Sequence, residues 1–240
     1  MSLTRTAVFH PVIAVTIAIA IVVIVWELAA TVSSPFVIPH LGPVFGKMLE
    51  LVLAANFWTH ASATAFRVLA GYLMALVVGL PIGLALRHVP ELRFALGALF
   101  AGLAAVPFVV LAPVMVLWFG IGSGAKIALA FAAAGFAVVS GLMTSRDPAG
   151  PAAPGMPPAA TAGAPLAPSV VEAARTAFLV AVGAVLVGEI MAAPTGLGNL
   201  LVTAMSMFDT VTMFAVVLIV ALPCACISAF LRSIEAQVGI

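Results

Sequence analysis

An all-α polytopic membrane protein with six transmembrane helices is the fold class that this sequence predicts. Three observations predict it. The mean hydropathy is +1.32, and 65% of the 240 side chains are hydrophobic while 7% are charged. Apolar runs recur near the ~20 residues that a helix needs to cross ~30 Å of hydrocarbon. A soluble domain of this size carries far more surface charge. Because lipid offers the backbone no hydrogen-bond partners, such runs are read as helices.

Composition also excludes function classes. A net charge of +1 lacks the basic patch that phosphate contacts need, so nucleic-acid binding is not expected. Cys224 and Cys226 stand inside an apolar run, too few for a metal site or a disulfide framework, and are read as packing residues. The sparse Ser, His and acidic residues form no triad, carboxylate pair or metal spacing, so no catalytic residue is assigned.

The six spans are placed near 7–30, 62–86, 94–118, 125–144, 169–191 and 211–231. The first run, Thr6 to Trp26 after Arg5, exceeds the ~7–15-residue core of a secretory signal and is read as a retained helix. With an even span number, Arg5, Arg87, Arg93, Arg146 and Arg232 share one face, against Lys47 and Lys126 on the other. The positive-inside rule makes the arginine face, and both termini, cytoplasmic. Residues 33–60, with Pro35, Pro39, Gly42 and Pro43, then form an external loop carrying a short helix around Val44–Leu53. This divides the chain into 1–61, a first helix with its external loop, and 62–236, the main transmembrane domain.

Within the spans, Gly79 and Gly83 form a small-xxx-small pair around Pro81 and mark close helix packing. Pro107 and Pro113 both fall in the third span. Each removes a backbone hydrogen bond, a defect tolerated at membrane depth where neighbours or a water-lined cavity satisfy the freed groups. That leaves two readings, a kinked packing helix or part of a solute path.

Several segments carry a resemblance. Trp26-Glu27-Leu28-Ala29-Ala30, His60-Ala61-Ser62, Arg67-Val68-Leu69-Ala70-Gly71-Tyr72 and Gly79-Leu80-Pro81-Ile82-Gly83 come first. Val106-Pro107, Ala112-Pro113, Leu117-Trp118-Phe119-Gly120-Ile121-Gly122, Gly188-Glu189-Ile190, Gly196-Leu197-Gly198 and Phe208-Asp209-Thr210 follow in order. The series resembles the permease subunits of binding-protein-dependent ABC importers, in the branch that handles nitrate, taurine and alkanesulfonates. The likeness spans nearly the whole chain.

The resemblance implies a type I ABC importer permease fold in a bacterial inner membrane. It implies a second permease copy, as a homodimer or with a sister subunit, and an extracytoplasmic solute-binding protein. Two cytoplasmic ATPase subunits would hold ATP and Mg, with no cofactor on this chain. No Gly-x-x-x-x-Gly-Lys-Ser/Thr phosphate loop occurs here, in keeping with that division of labour.

In the family, a cytoplasmic loop between the fourth and fifth spans couples to the ATPase through short helices carrying Glu-Ala-Ala, three residues, then Gly. Here Arg146-Asp147-Pro148 enters the loop and Pro168-Ser169 leaves it, but 147–168 is rich in Pro, Ala and Gly. Pro151, Pro154, Pro157, Pro158 and Pro165 forbid a regular helix. The nearest remnant is Ala159-Ala160-Thr161-Ala162-Gly163, with Pro158 in place of the glutamate. Arg146, Asp147, Ala159, Ala160 and Gly163 therefore form a degenerate coupling element. Three accounts fit: lost coupling, docking through a less helical loop, or compensating frameshifts in the coding sequence. Glu172-Ala173-Ala174 has Phe178 where the glycine belongs and is read as the start of the fifth span.

Ionisable groups near spans complete the reading, because charge in lipid is costly. Arg67 is read as snorkelling to the interface, or as attracting an anionic solute to the path. Arg175 carries the same two readings. Glu189 is read as solvated at the external interface, or as lining the path. Glu27 and His60 are placed in external interfacial water, His10 and His88 in cytoplasmic interfacial water. Pro107, Pro113, Arg67 and Glu189 are thus the candidate translocation-path residues. The expected function is passage of a small solute, such as nitrate, a sulfonate or taurine, by alternating access. An ATPase-uncoupled channel or scaffold is the second reading.

Overall fold

The computed structural model describes residues 11–144 and 166–238. Among these the chain forms nine helices and no strand: α1 (Pro11–Val32), α2 (Leu41–Leu53), α3 (Ala55–His88), α4 (Pro90–Ala105), α5 (Phe108–Phe119), α6 (Ser123–Thr144), α7 (Leu166–Ala192), α8 (Leu197–Ser206) and α9 (Thr210–Val238). Five of them, α1, α3, α6, α7 and α9, are long and apolar enough to cross a membrane. The all-helical polytopic class holds.

The expected third span, 94–118, is not one helix. It breaks at Val106–Pro107 into α4 and α5. Pro107 has no N–H to donate, and it forces its predecessor out of the helical region: Val106 has φ −69° and ψ 122°. Pro113 behaves otherwise. It lies inside α5 without ending it, and is exposed. Pro168, expected to close the 147–168 loop, sits in the first turn of α7, where a missing N–H would have no intrahelical partner anyway. Arg146, Asp147, Ala159, Ala160 and Gly163 lie outside the described residues.

α6 is the central helix, packed between α3 and α7. On α3, Gly71, Ala75, Gly79 and Gly83 recur every fourth residue, so they share one face. An added Cβ would meet Ala130 Cβ at 2.6 Å from Gly71, Val138 Cβ at 3.1 Å from Gly79, and Leu142 Cδ1 at 2.8 Å from Gly83. The small-residue reading of Gly79 and Gly83 holds and extends up the helix. On α7, Ala173, Ala177, Ala181 and Val185 supply the matching small face and are buried in the same core. Ala173 sits against Gly141, whose added Cβ would lie 3.3 Å from the Ala173 Cβ, so Glu172-Ala173-Ala174 belongs to a packed helix.

The seams set the orientation of the bundle. One end holds the 145–165 connection. The other gathers the start of α3, the start of α6, the end of α7 and α8, and is the external end in the sequence-based topology. There Trp26 Nε1 donates to the Pro39 carbonyl at 2.9 Å, and the Trp26 ring meets Phe214 edge-on. Glu27 accepts the Leu41 N–H at 2.8 Å and contacts His40 Nδ1 at 2.7 Å, capping α2. The short external helix expected at Val44–Leu53 is this α2. The apolar side chains of α1 between Ile13 and Val25 are exposed, as suits a helix facing hydrocarbon. Cys224 is half-buried on α9, whereas Cys226 is exposed and does not pack within this chain.

Candidate functional site

Two places hold the four candidate path residues. Arg67 and Glu189 meet in a buried cluster at the external end. Pro107 marks the break beside a cavity nearer the 145–165 end. Pro113 joins neither.

The cluster starts from helical spacing. His60, Thr64 and Arg67 lie four and three residues apart on α3, hence on one face. That face is buried against the end of α7 and the turn into α8. Arg67 is 4% exposed and Glu189 1%, and Arg67 Nη1 donates to Glu189 Oε1 at 2.6 Å. The same Nη1 donates to the Thr195 carbonyl at 2.7 Å, while Nη2 reaches Thr195 Oγ1 at 3.0 Å and Nε reaches Ser123 Oγ at 3.1 Å. One guanidinium fork therefore ties α3 to α6, α7 and the 193–196 turn.

Glu189 is equally engaged. Thr64 Oγ1 lies 2.9 Å from each of its oxygens and accepts the Leu197 N–H at 2.8 Å. Gly198 N–H donates to Glu189 Oε2 at 3.0 Å, so the carboxylate faces the start of α8, where backbone amides and the helix dipole favour an anion. The turn can approach this closely because Gly196 has φ +125°. A Cβ there would lie 2.3 Å from the Glu189 carboxyl carbon. His60 Nδ1 stands 3.1 Å from the Gly196 nitrogen and 3.0 Å from its carbonyl oxygen. Its ring can accept from one or donate to the other, according to tautomer.

Lys126, in the first turn of α6, is 1% exposed. Its Nζ donates to the carbonyls of Ile121 and Ala192, the latter being the last residue of α7, where a helix end favours a cation. Arg67 and Lys126 thus set two basic side chains beside the one carboxylate of Glu189.

These positions correct the sequence reading in four places. Arg67 does not snorkel, because its fork is satisfied inside. Glu189 is not solvated at an interface. His60 is buried rather than in interfacial water, and Lys126 is a buried residue of α6 rather than an external flank. Glu27, by contrast, is partly exposed as expected, and bonded. Thr64, Ser123 and Thr195 were missed. The spacing of His60, Thr64 and Arg67 on one helical face was the available signal.

The second place is a cavity of about 610 Å³ lined from the α4–α5 break, α6 and α7. Val106 and Phe108 flank Pro107 on its wall, and Ser140, Ser169, Glu172 and Thr176 supply its polar side chains. Among the described residues, Glu172 is the one charged side chain in this lining. Helix ends at the break leave backbone amides and carbonyls outside regular pairing. The cluster is thus a dry clamp, and the cavity a partly polar space with room for a small solute.

No family model matches the chain. It is 27% identical over 224 residues to the riboflavin transport system permease protein of Chloroflexus aurantiacus, covering 88% of this chain and 84% of that protein. It is 31% identical over 122 residues to the taurine transport system permease protein of Escherichia coli, covering 48% of this chain and 44% of that protein. The formylaminopyrimidine transport permease protein of Halalkalibacterium halodurans is 28% identical over 108 residues, 44% of this chain and 42% of that protein. The chain thus spans less than half of the latter two relatives and most of the first. These relatives are transport permeases, and the resemblance to ABC importer permeases stands on them.

Proposed function

We propose that this chain is the transmembrane permease subunit of a binding-protein-dependent ABC importer, multi-pass in a bacterial inner membrane with both termini cytoplasmic. The observation that carries the reading is the alignment with a riboflavin transport permease along 88% of this chain. Two copies would face each other, receive a small solute from an extracytoplasmic binding protein, and pass it inward. Two cytoplasmic ATPases would hold ATP and Mg and engage the 147–168 loop.

The division within the fold supports this mechanism. A clamp at the external end fixes α3, α6, α7 and α8 as one unit, while the break at Pro107 separates α4 from α5 beside the cavity. Solute binding need only be weak, provided that it differs between the inward and outward states. A sulfonate such as taurine, or nitrate, is the proposed solute class, supported by the 31% match to a taurine transport permease.

Co-expression with the ATPase and binding protein encoded nearest to it tests the reading. The expected result is a purified complex whose ATP hydrolysis rises when loaded binding protein is added. The five prolines between 151 and 165 favour a second reading, a membrane scaffold that no longer couples. Stable assembly of the chain with no ATPase bound would select it.

A further inference from the structure

The cavity beside the α4–α5 break carries a second, sharper reading, which rests on the importer proposal and concerns the solute. Its one charged wall residue among the described residues is an acid, not a base. Glu172 stands within the membrane-spanning helix α7, and its carboxylate makes no hydrogen bond or ion pair among the described residues. Glu172 is exposed to this space, whereas Arg67, Glu189 and Lys126 are buried at the external end and bond one another or backbone. An ionisable side chain in a membrane span without a partner is a functional group by default, because solvating it in the bilayer is costly. Beside it, Thr176 lies four residues on and on the same face of α7, and also lines the cavity.

A plain oxyanion does not fit such a wall. Like charge beside Glu172 is repelled, and no basic side chain among the described residues lines the cavity to offset it. A protonated amine fits, since three ammonium donors can be shared between a carboxylate and neighbouring hydroxyls. The apolar side of the cavity, from Leu111, Val180 and Phe136, then covers the carbon chain. We propose that this cavity is a solute-binding station in which Glu172 receives the ammonium group of an amine-bearing solute. Of the solutes named above, an aminoalkyl sulfonate is accepted, whereas nitrate and amine-free sulfonates are not.

The test uses the full chain purified into lipid nanodiscs, with taurine, ethanesulfonate, ethylamine and nitrate as probes in equilibrium binding. Taurine and ethylamine are expected to bind, and ethanesulfonate and nitrate to bind at least about tenfold more weakly, the scale of one charge-assisted hydrogen bond. Glu172→Gln is expected to weaken taurine binding by roughly ten- to a hundredfold, and Glu172→Asp to retain part of it. Ala137→Phe, which fills the cavity without touching the carboxylate, should abolish binding. Glu91→Gln, an acid outside the cavity, should leave it unchanged. Equal binding of taurine and ethanesulfonate, full affinity in Glu172→Gln, or no binding of any amine overturns the proposal. Because the binding assay contains no ATPase, amine binding here together with failure of the chain to assemble with the ATPase on co-expression would refute the importer reading and leave the station standing.

Discussion

The two ends of the helical bundle differ in how they treat charge. At the external end Arg67, Lys126 and Glu189 are almost fully buried, and every one of them has hydrogen-bond partners. Toward the 145–165 end Glu172 stands on a cavity wall with no partner among the described residues. A satisfied buried network holds several elements in one arrangement, because each partner lost leaves an uncompensated charge. An acid beside open space, without a partner among the described residues, ties no described elements together and is available to a ligand. The contrast sets a bonded ionic network at one end of the bundle against an acid facing a cavity toward the other.

The largest effect should come from breaking the clamp on one side only. Glu189→Leu leaves Arg67 and Lys126 buried without their carboxylate, and should destabilise the chain by about 3–5 kcal/mol. Thermal unfolding in detergent micelles reads this as a large fall in Tm. Arg67→Met combined with Glu189→Leu should recover a substantial part of the loss, since a buried pair replaced by apolar side chains is often neutral. If the double variant is no more stable than the single one, the cluster is not a clamp and the contrast fails. Gly196→Ala comes next. Its φ of +125° and the 2.3 Å approach to the Glu189 carboxyl carbon should make it cost about 2–3 kcal/mol. Gly120, with φ +74° and no atom within 4 Å of an added Cβ, is the control that carries the strain without the collision.

Much of this fold was legible in the residues. Five of the six expected spans correspond to helices long enough to cross a membrane, because apolar runs of that length have few other stable states in lipid. The third span was misjudged as continuous. Pro107 and Pro113 look alike in sequence, yet only Pro107 ends a helix, since neighbouring helices settle whether a lost hydrogen bond can be absorbed. The charged groups were placed worst. Arg67, Lys126, Glu189 and His60 each stand near a span end, where interfacial water is the default explanation. Their common cluster joins Arg67 and Glu189, 122 positions apart in the chain. No local spacing reports that distance. Only the His60, Thr64, Arg67 face and the glycines at 196 and 198 pointed toward it.

The seam that joins the two ends offers a smaller test. In Gly71→Val the new Cβ meets Ala130 Cβ at 2.6 Å and the Ile127 carbonyl oxygen at 2.9 Å. Backbone cannot yield as a side-chain tip does, so overpacking should cost about 1–3 kcal/mol. A matching loss of taurine affinity in the nanodisc assay would link the seam to the cavity. An unchanged affinity would show that α3 and α6 can part locally while the cavity keeps its shape.

The smallest effect separates the dry clamp from the wet surface at the same external end. Asp209 precedes α9 and accepts the Thr212 N–H at 3.0 Å and the Thr212 hydroxyl at 2.6 Å. Those bonds, the hydroxyl first, hold its carboxyl below the usual carboxylate range, with nearby Lys47 adding a little. Asp209→Ala should cost about 1 kcal/mol, the scale of a lost helix cap. Because the folded-state value is depressed, the contribution is complete above the usual range and disappears as pH falls through the folded-state value. The stability gap between wild type and Asp209→Ala should therefore shrink in acid, below the range in which a free aspartate titrates. A gap that stays constant would mean that Asp209 acts through packing rather than charge, and that the external end is uniformly dry. A gap that closes confines the water-free environment to the Arg67, Lys126 and Glu189 cluster, with the α9 cap outside it.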